Sequence, residues 1–244
     1  MAEERRERLR HLRAAAVNID GVMLNDTFSP VIHHFVVSRG GVYTAELERR
    51  VFSQRQAEAA RVIAEAAGVD WPPEKVVEVY FRERAEYLER DPVRVLDGAV
   101  GLVRLLRSLG LRTVCYGGLE RTHFDRALGG HPGLFDDPEY VCTDAYRPGI
   151  REIAAEVFHL PPDRVLVIDD VARVAEAART LGMPFVGNPS AFAHGFQRES
   201  MRAAGVRHLV SSPGGIDEEL LRALDAEAEA GDCWSRGGRS PQLP

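Results

Sequence analysis

The run Val17-Asn18-Ile19-Asp20-Gly21 closes an apolar stretch with an amide, a spacer, an acid and a glycine. With an acid at position 18, this pattern would build a phosphoryl-transfer site, because a carboxylate oxygen can attack phosphorus. A neutral amide in that place has no anionic oxygen to attack with. Three further apolar runs also end in polar or turn-forming residues: Cys115-Tyr116-Gly117-Gly118, Thr143-Asp144 followed by Arg147-Pro148, and Asp169-Asp170. In an open parallel sheet, ligands bind beyond the carboxyl ends of the strands. Polar residues at four strand ends, with acids at three of them, point to one shared site.

The elements that must position these residues are legible as periodicity. Short apolar runs predict strands at Ala14–Ile19, Leu111–Tyr116, Tyr140–Thr143, Val165–Ile168, Phe185–Val186 and His208–Val210. Helical spacing predicts helices over Ala99–Leu109, Ile150–Phe158, Val171–Leu181 and Gln197–Ala204. Gly110, Gly182 and Gly205 follow helical stretches, where a left-handed closing residue is expected. Strands alternating with helices imply an α/β fold, a mostly parallel Rossmann-like sheet covered on both faces.

One stretch breaks this rhythm. From about Thr44 to Asp91 there is no strand signal, only two long amphipathic patterns, Ala45–Ala67 and Glu74–Arg90, separated by Gly68-Val69-Asp70-Trp71-Pro72-Pro73. This reads as an all-helical cap inserted after the first strand, with Asn25–Tyr43 as the connection into it. The expected division is a core of residues 1–24 and 96–230, a cap of residues 25–95, and a flexible tail over residues 231–244, where Gly, Ser, Pro and Arg mix without periodicity.

The chain has 244 residues, 45% of them hydrophobic, which is enough for a substantial core. Its net charge of −6 excludes a general basic footprint for nucleic acid. Lys75 is the single lysine, so catalytic bases and phosphate anchors are restricted to Arg and His. Three cysteines, Cys115, Cys142 and Cys233, are too few and too odd in number for a disulfide framework. No signal-peptide pattern and no apolar segment of spanning length is present, which makes a reducing cytoplasm the expected compartment and a membrane partner unexpected.

The order, spacing and strand-end placement of these motifs resemble the haloacid dehalogenase-like (HAD-like) superfamily, with a type-1 helical cap. The resemblance covers roughly residues 14 to 212. It is strongest in Asp97-Gly98 leading into Leu111–Gly118, and in Arg147-Pro148 through Val165–Gly182, with Asp169-Asp170 before the helix Glu176–Leu181. It implies magnesium-dependent chemistry on a small, anionic or phosphorylated metabolite. By position, Asn18 falls on the aspartyl nucleophile, Asp20 on the general acid/base, Tyr116 on a phosphoryl-binding Ser or Thr, and Arg147 on the Lys or Arg that holds the phosphoryl group. Asp169, Asp170 and the backbone carbonyl of Asp20 fall on the metal ligands.

Two of the four motifs therefore depart from the pattern. Loss of the carboxylate at position 18 removes covalent catalysis and one charge from the metal site, so weaker magnesium affinity is expected. A tyrosine at 116 crowds the phosphoryl pocket; a one-residue shift would present Cys115 instead. Asn18 reads either as natural divergence or as an inactivating Asp-to-Asn exchange, and Tyr116 favours divergence. Gly117 and Gly118 can bring backbone amides to an anion or simply make a tight turn. His33, in the connection to the cap, can reach over the site as acid or base, or sit at the surface beside His34. Asp20-Gly21 can be ordinary turn chemistry, Asp169-Asp170 a helix cap, and Arg147 a loop residue; only their conjunction favours a site. Three functions remain open: an enzyme whose chemistry has moved away from aspartyl-phosphate formation, a magnesium-dependent phosphatase in inactivated form, and a non-catalytic binding or scaffolding protein.

Overall fold

The computed structural model describes residues 6–234. Six parallel strands form one sheet: β1 (Ala14–Asn18), β2 (Arg112–Gly117), β3 (Tyr140–Cys142), β4 (Val165–Asp169), β5 (Phe185–Gly187) and β6 (His208–Leu209). Their order is β3-β2-β1-β4-β5-β6, with every pair parallel. Each predicted strand is present to within a residue or two. The central strands are buried on both faces, as their unbroken apolar runs require.

Five helices separate β1 from β2, and the first four form the insertion: α1 (Ser29–Val37), α2 (Ala45–Val51), α3 (Gln56–Ala67) and α4 (Pro73–Leu88). They bury their own apolar cluster, including Ile32, Phe35, Val51, Ile63, Val76 and Tyr80. Two expectations need correction here. The connection Asn25–Tyr43 contains α1, started by Asp26, whose Oδ1 accepts the backbone N–H groups of Phe28 and Ser29 at 2.9 Å each, and by Pro30 in the first turn. The pattern Ala45–Ala67 is two helices, interrupted where Phe52 is extended and Ser53 is left-handed (φ 57°). No Gly or Pro announces that break. It lets the chain meet the segment after β3: the Arg55 guanidinium donates to the Ala145 carbonyl at 2.6 Å, and the Gln56 N–H to Asp144 at 3.2 Å.

The remaining helices cover the sheet. On one face lie α5 (Ala99–Ser108), α6 (Arg121–Leu128) and, late in the chain, α10 (Glu218–Ala230). On the other lie α7 (Ile150–Glu152), which continues as a π-helical turn over Ile153–Phe158, then α8 (Ala172–Leu181) and α9 (Gln197–Ala203). The stripe Ala99, Leu102, Val103 and Leu106 shows why α5 docks: a fully buried side chain of this kind contributes about 1.5–3 kcal/mol, alanine less. α10 also fixes the approach to β1, because Asp225 accepts the backbone N–H groups of Arg10, His11 and Leu12 at 2.7–2.9 Å.

The expected tail needs partial revision. Gly231 closes α10 in the left-handed conformation, Cys233 is buried, and Trp234 stacks on Phe185 and donates its indole N–H to the Met183 carbonyl at 3.1 Å. Residues 235–244 lie outside the described part. Among the described residues, no helix is long and apolar enough to cross a membrane.

Candidate functional site

Strand parity and register bring the first group of residues together. Asn18 and Tyr116 are register partners on β1 and β2, and Val17 pairs with Ile168 one step before Asp169 on β4. Alternation along each strand then puts Asn18, Tyr116 and Asp169 on the sheet face of Val114 and Val167. Cys115 points to the opposite face, among Val17, Ile19 and Ile168, where burial pushes its thiol pKa well up. Tyr116, rather than Cys115, therefore faces Asn18.

The three side chains make a closed cluster. The Asn18 amide donates to Asp169 Oδ2 at 2.9 Å and to Asp170 Oδ1 at 3.2 Å. The Tyr116 hydroxyl donates to the same Asp169 Oδ2 in a short hydrogen bond, and Asp169 Oδ1 accepts the Val171 N–H at 2.7 Å. Asp169 is fully buried, and desolvation lifts its pKa to about 6 against the pull of those donors and of Arg147. Asp170 is pushed further up, by desolvation first and then by the charges of Asp169, Asp26 and Asp20.

This donor set does not fit a magnesium ion. Mg2+ takes oxygen ligands at about 2.0–2.1 Å in octahedral geometry. Here Asp169 offers oxygens already engaged by three protein donors, and position 18 presents N–H groups toward both acids. Among the described residues no cluster of three or more His, Cys, Asp or Glu has metal-binding geometry. Of the expected magnesium set of Asp169, Asp170 and Asp20, the first acid is thus already engaged by protein donors.

Asp20 stands one turn beyond β1, held from α6 by His123, whose Nε2 lies 2.9 Å from Asp20 Oδ1. Both side chains are largely buried. The sequence reading missed His123, since a lone histidine in a short polar helix carries no signal. Gly21 is required where it stands: its φ is 84°, and a Cβ there would lie 2.1 Å from the Asp170 carboxylate. Arg147 donates to the Thr143 hydroxyl at 3.0 Å and packs its guanidinium over Gly118, where an added Cβ would meet it at 3.3 Å.

A cleft of roughly 970 Å³, partly open to solvent, lies between these strand ends and the helices α1–α4. Asn18, Asp20, Gly118, Arg147 and Asp170 line its floor, with Asp144 and Asp26 at the sides. Its upper wall is apolar, from Phe28, Ile32, Val51, Phe52, Ile63, Val76 and Phe81. Three of the expected ligand-binding residues are placed elsewhere: Tyr116 is buried beneath the cleft with its hydroxyl on Asp169, and Gly117 and His33 also lie outside its lining. Gly117 is packed against Ile19 and the Tyr140 hydroxyl, so its lack of a side chain serves close packing. His33 lies in a second hollow, stacked on His194 at 4.3 Å and edge-on to Tyr43 and Phe192. Its position on α1 turns it away from the strand ends.

Four buried polar atoms without a hydrogen-bond partner belong to residues of the first cleft: Asp26 Oδ2, Ser53 Oγ, Tyr80 Oη and Arg147 Nε. Buried polar groups are normally satisfied, and each orphan costs stability. Tyr80→Phe is accordingly expected to raise the stability of the ligand-free protein by about 1 kcal/mol. Calorimetric melting of the two proteins checks this, and a lower melting temperature for the variant would show that the hydroxyl has a structural partner.

A sequence profile of the haloacid dehalogenase-like hydrolases matches residues 12–182. No curated protein matches the chain. Among solved structures it is similar to a conserved haloacid dehalogenase-like protein from Agrobacterium tumefaciens (19% identity, TM-score 0.65, covering 87% of this chain and 99% of that one). It is also similar to a β-phosphoglucomutase from Clostridium difficile (14% identity, TM-score 0.65, covering 90% and 99%). A third is a HAD family hydrolase from Deinococcus radiodurans with bound phosphate and sodium (20% identity, TM-score 0.57, covering 90% and 97%). At these identities the structures establish the fold alone, but the profile spans well over half of the sequence. The chain belongs to the haloacid dehalogenase-like hydrolase family.

Proposed function

We propose that this protein acts on a small metabolite in the cleft through acid–base chemistry at Asp20, without forming a phosphoryl-enzyme. The observation that carries the reading is the Asn18 amide, with its N–H groups on Asp169 and Asp170, at the strand end where a nucleophilic carboxylate is needed. Asp20 borders the cleft beside it, and His123 fixes one of its oxygens. A carboxylate so held takes a proton from a bound ligand or returns one, and the imidazole keeps it in register.

The cleft also narrows the ligand. Arg147 is the one cation among the described residues lining it, against Asp20, Asp26 and Asp144, while desolvation favours the neutral form of Asp170. A dianionic phosphoryl group on this floor would meet more repulsion than attraction. The favoured ligand has a mainly apolar body against the upper wall and a head bearing one negative charge on Arg147. The unpartnered Ser53, Tyr80 and Asp26 atoms suit hydroxyl or amine groups on that body.

Two measurements test this. With millimolar Mg2+ and p-nitrophenyl phosphate, the protein is expected to show no hydrolysis beyond that of an Asp20→Asn control. In thermal-shift titrations, apolar-bodied monocarboxylates are expected to raise the melting temperature more than phosphomonoesters of similar size, and Arg147→Gln to cancel the rise. A phosphoryl group trapped on residue 18, or a phosphomonoester that stabilises the protein more than its carboxylate counterpart, would overturn the reading.

A further inference from the structure

The carboxylates at the ends of β1 and β4 pose an electrostatic problem that does not depend on which ligand the cleft takes. Asp169 is fully buried and Asp170 adjoins it on the cleft floor, so one carboxylate is shut off from water and a second stands beside it. Such a pair needs compensation from a cation, from hydrogen-bond donors, or from protons. We infer that the Asn18 amide and the Tyr116 hydroxyl together take the place of a divalent cation at these strand ends, making the site independent of metal.

The geometry supports this in three ways. First, Asn18 Nδ2 is within hydrogen-bond distance of both acids, at 2.9 Å from Asp169 and 3.2 Å from Asp170, so one neutral group bridges the two carboxylates. Second, Tyr116 is long enough to reach from β2, past β1, to Asp169 on β4, and its hydroxyl shares Oδ2 with the amide. A serine or threonine at 116 would stop short of that oxygen. Third, the remaining oxygen, Oδ1, is taken by the Val171 N–H at 2.7 Å. A cation placed at bonding distance from Oδ2 would face the hydrogens of both donors. For Asn18 to serve as a ligand it would have to turn its carbonyl oxygen inward, giving up both hydrogen bonds. The two residue changes are thus one coupled device: the amide removes a charge, and the phenol supplies the donor that neutralises part of what remains. Their shared acceptor is the link, and neither change alone accounts for the arrangement.

Mn2+ is the probe for the test, because an oxygen-rich Mg2+ site accepts it and free and bound ions are separated by electron paramagnetic resonance. The full chain is expected to bind no stoichiometric Mn2+ in the millimolar range, and its melting temperature to be unchanged by Mg2+ or by a chelator. Asn18→Asp/Tyr116→Ser is expected to bind one equivalent at least about tenfold more tightly and to melt at a higher temperature with Mg2+ than without. Asn18→Asp alone places a third carboxylate beside the pair, so it is expected to melt below the parent protein and to recover when Mg2+ is added. It stands in for the double variant if that one fails to fold. One equivalent of Mn2+ on the unaltered protein, lost in Asp170→Asn, would overturn the inference. So would a folded double variant that binds no Mn2+, or an Asn18→Asp protein whose melting is unaltered and indifferent to Mg2+. These readouts are independent of turnover, so failure here leaves the acid–base reading of Asp20 separately testable.

Discussion

Tyr116→Phe is expected to destabilise the protein by about 2–3 kcal/mol above neutral pH and by much less near pH 4. The ring still fills its place on β2, so packing changes little. What is lost is a donor to a fully buried carboxylate, Asp169, which retains the Asn18 amide and the Val171 N–H. The pH dependence follows from the direction of the Asp169 shift. Its pKa in the fold is about 6, raised from 3.8, so protonation favours the native state. That contribution is complete below the unfolded value and is lost as the pH rises through about 6. Removing the phenol raises the native pKa further, because the hydrogen bond favours the ionised form. The penalty is therefore full where Asp169 must be ionised and shrinks once the carboxyl holds a proton in both states. Urea unfolding of the two proteins on either side of pH 6 measures it, and an equal loss at both pH values would show that the hydroxyl does not serve Asp169.

A second large effect is expected at Glu48, a residue of α2 that is 1% exposed. Its carboxylate accepts the Phe196 N–H at 3.0 Å, the Gln197 amide at 2.7 Å and the Tyr43 hydroxyl at 2.9 Å. Gln197 in turn accepts the Ala172 N–H at 2.7 Å, two residues beyond Asp170. The inserted helices are thus tied to the sheet layer at a point directly connected with the candidate site. Glu48→Ala leaves three donors without a partner, and the expected cost is about 3 kcal/mol at unchanged fold. Amide hydrogen exchange in α1–α4 should accelerate more than in β1 and β4, because the lost bonds join the cap to the core and not the strands to each other. Glu48→Gln, which keeps one acceptor oxygen, is expected to recover part of the loss. Uniform acceleration across the sheet would mean that Glu48 supports the core itself.

Much of this architecture is legible in the chain before any coordinates. The six strands are apolar runs of the right length, and the parallel sheet follows from their alternation with helical patterns. α1 is hard to see in the sequence because its start rests on an Asp26 turn that accepts the Phe28 and Ser29 N–H groups and on Pro30, and not on a long amphipathic stripe. The break at Phe52–Ser53 was hidden because the residues that impose it, Asp144 and Ala145, are about ninety positions away. His33 looked available to the strand ends from its place in the chain, yet the turn of α1 aims it at His194. Distance along the sequence says nothing about which way a helix faces.

For the site, the sequence by itself determined the chemistry that is missing. An amide at position 18 is no useful nucleophile toward phosphorus in any fold, because a neutral carboxamide has no ionisable group from which surroundings could draw an anionic oxygen. The tertiary structure alone decided what the remaining groups do to one another. Strand register set Tyr116 beside Asn18, parity aimed both at Asp169, and the packing of α6 against the sheet brought His123 to Asp20. Hydrogen bonds form over about 3 Å, and only the folded chain brings residues 18, 116 and 169 that close.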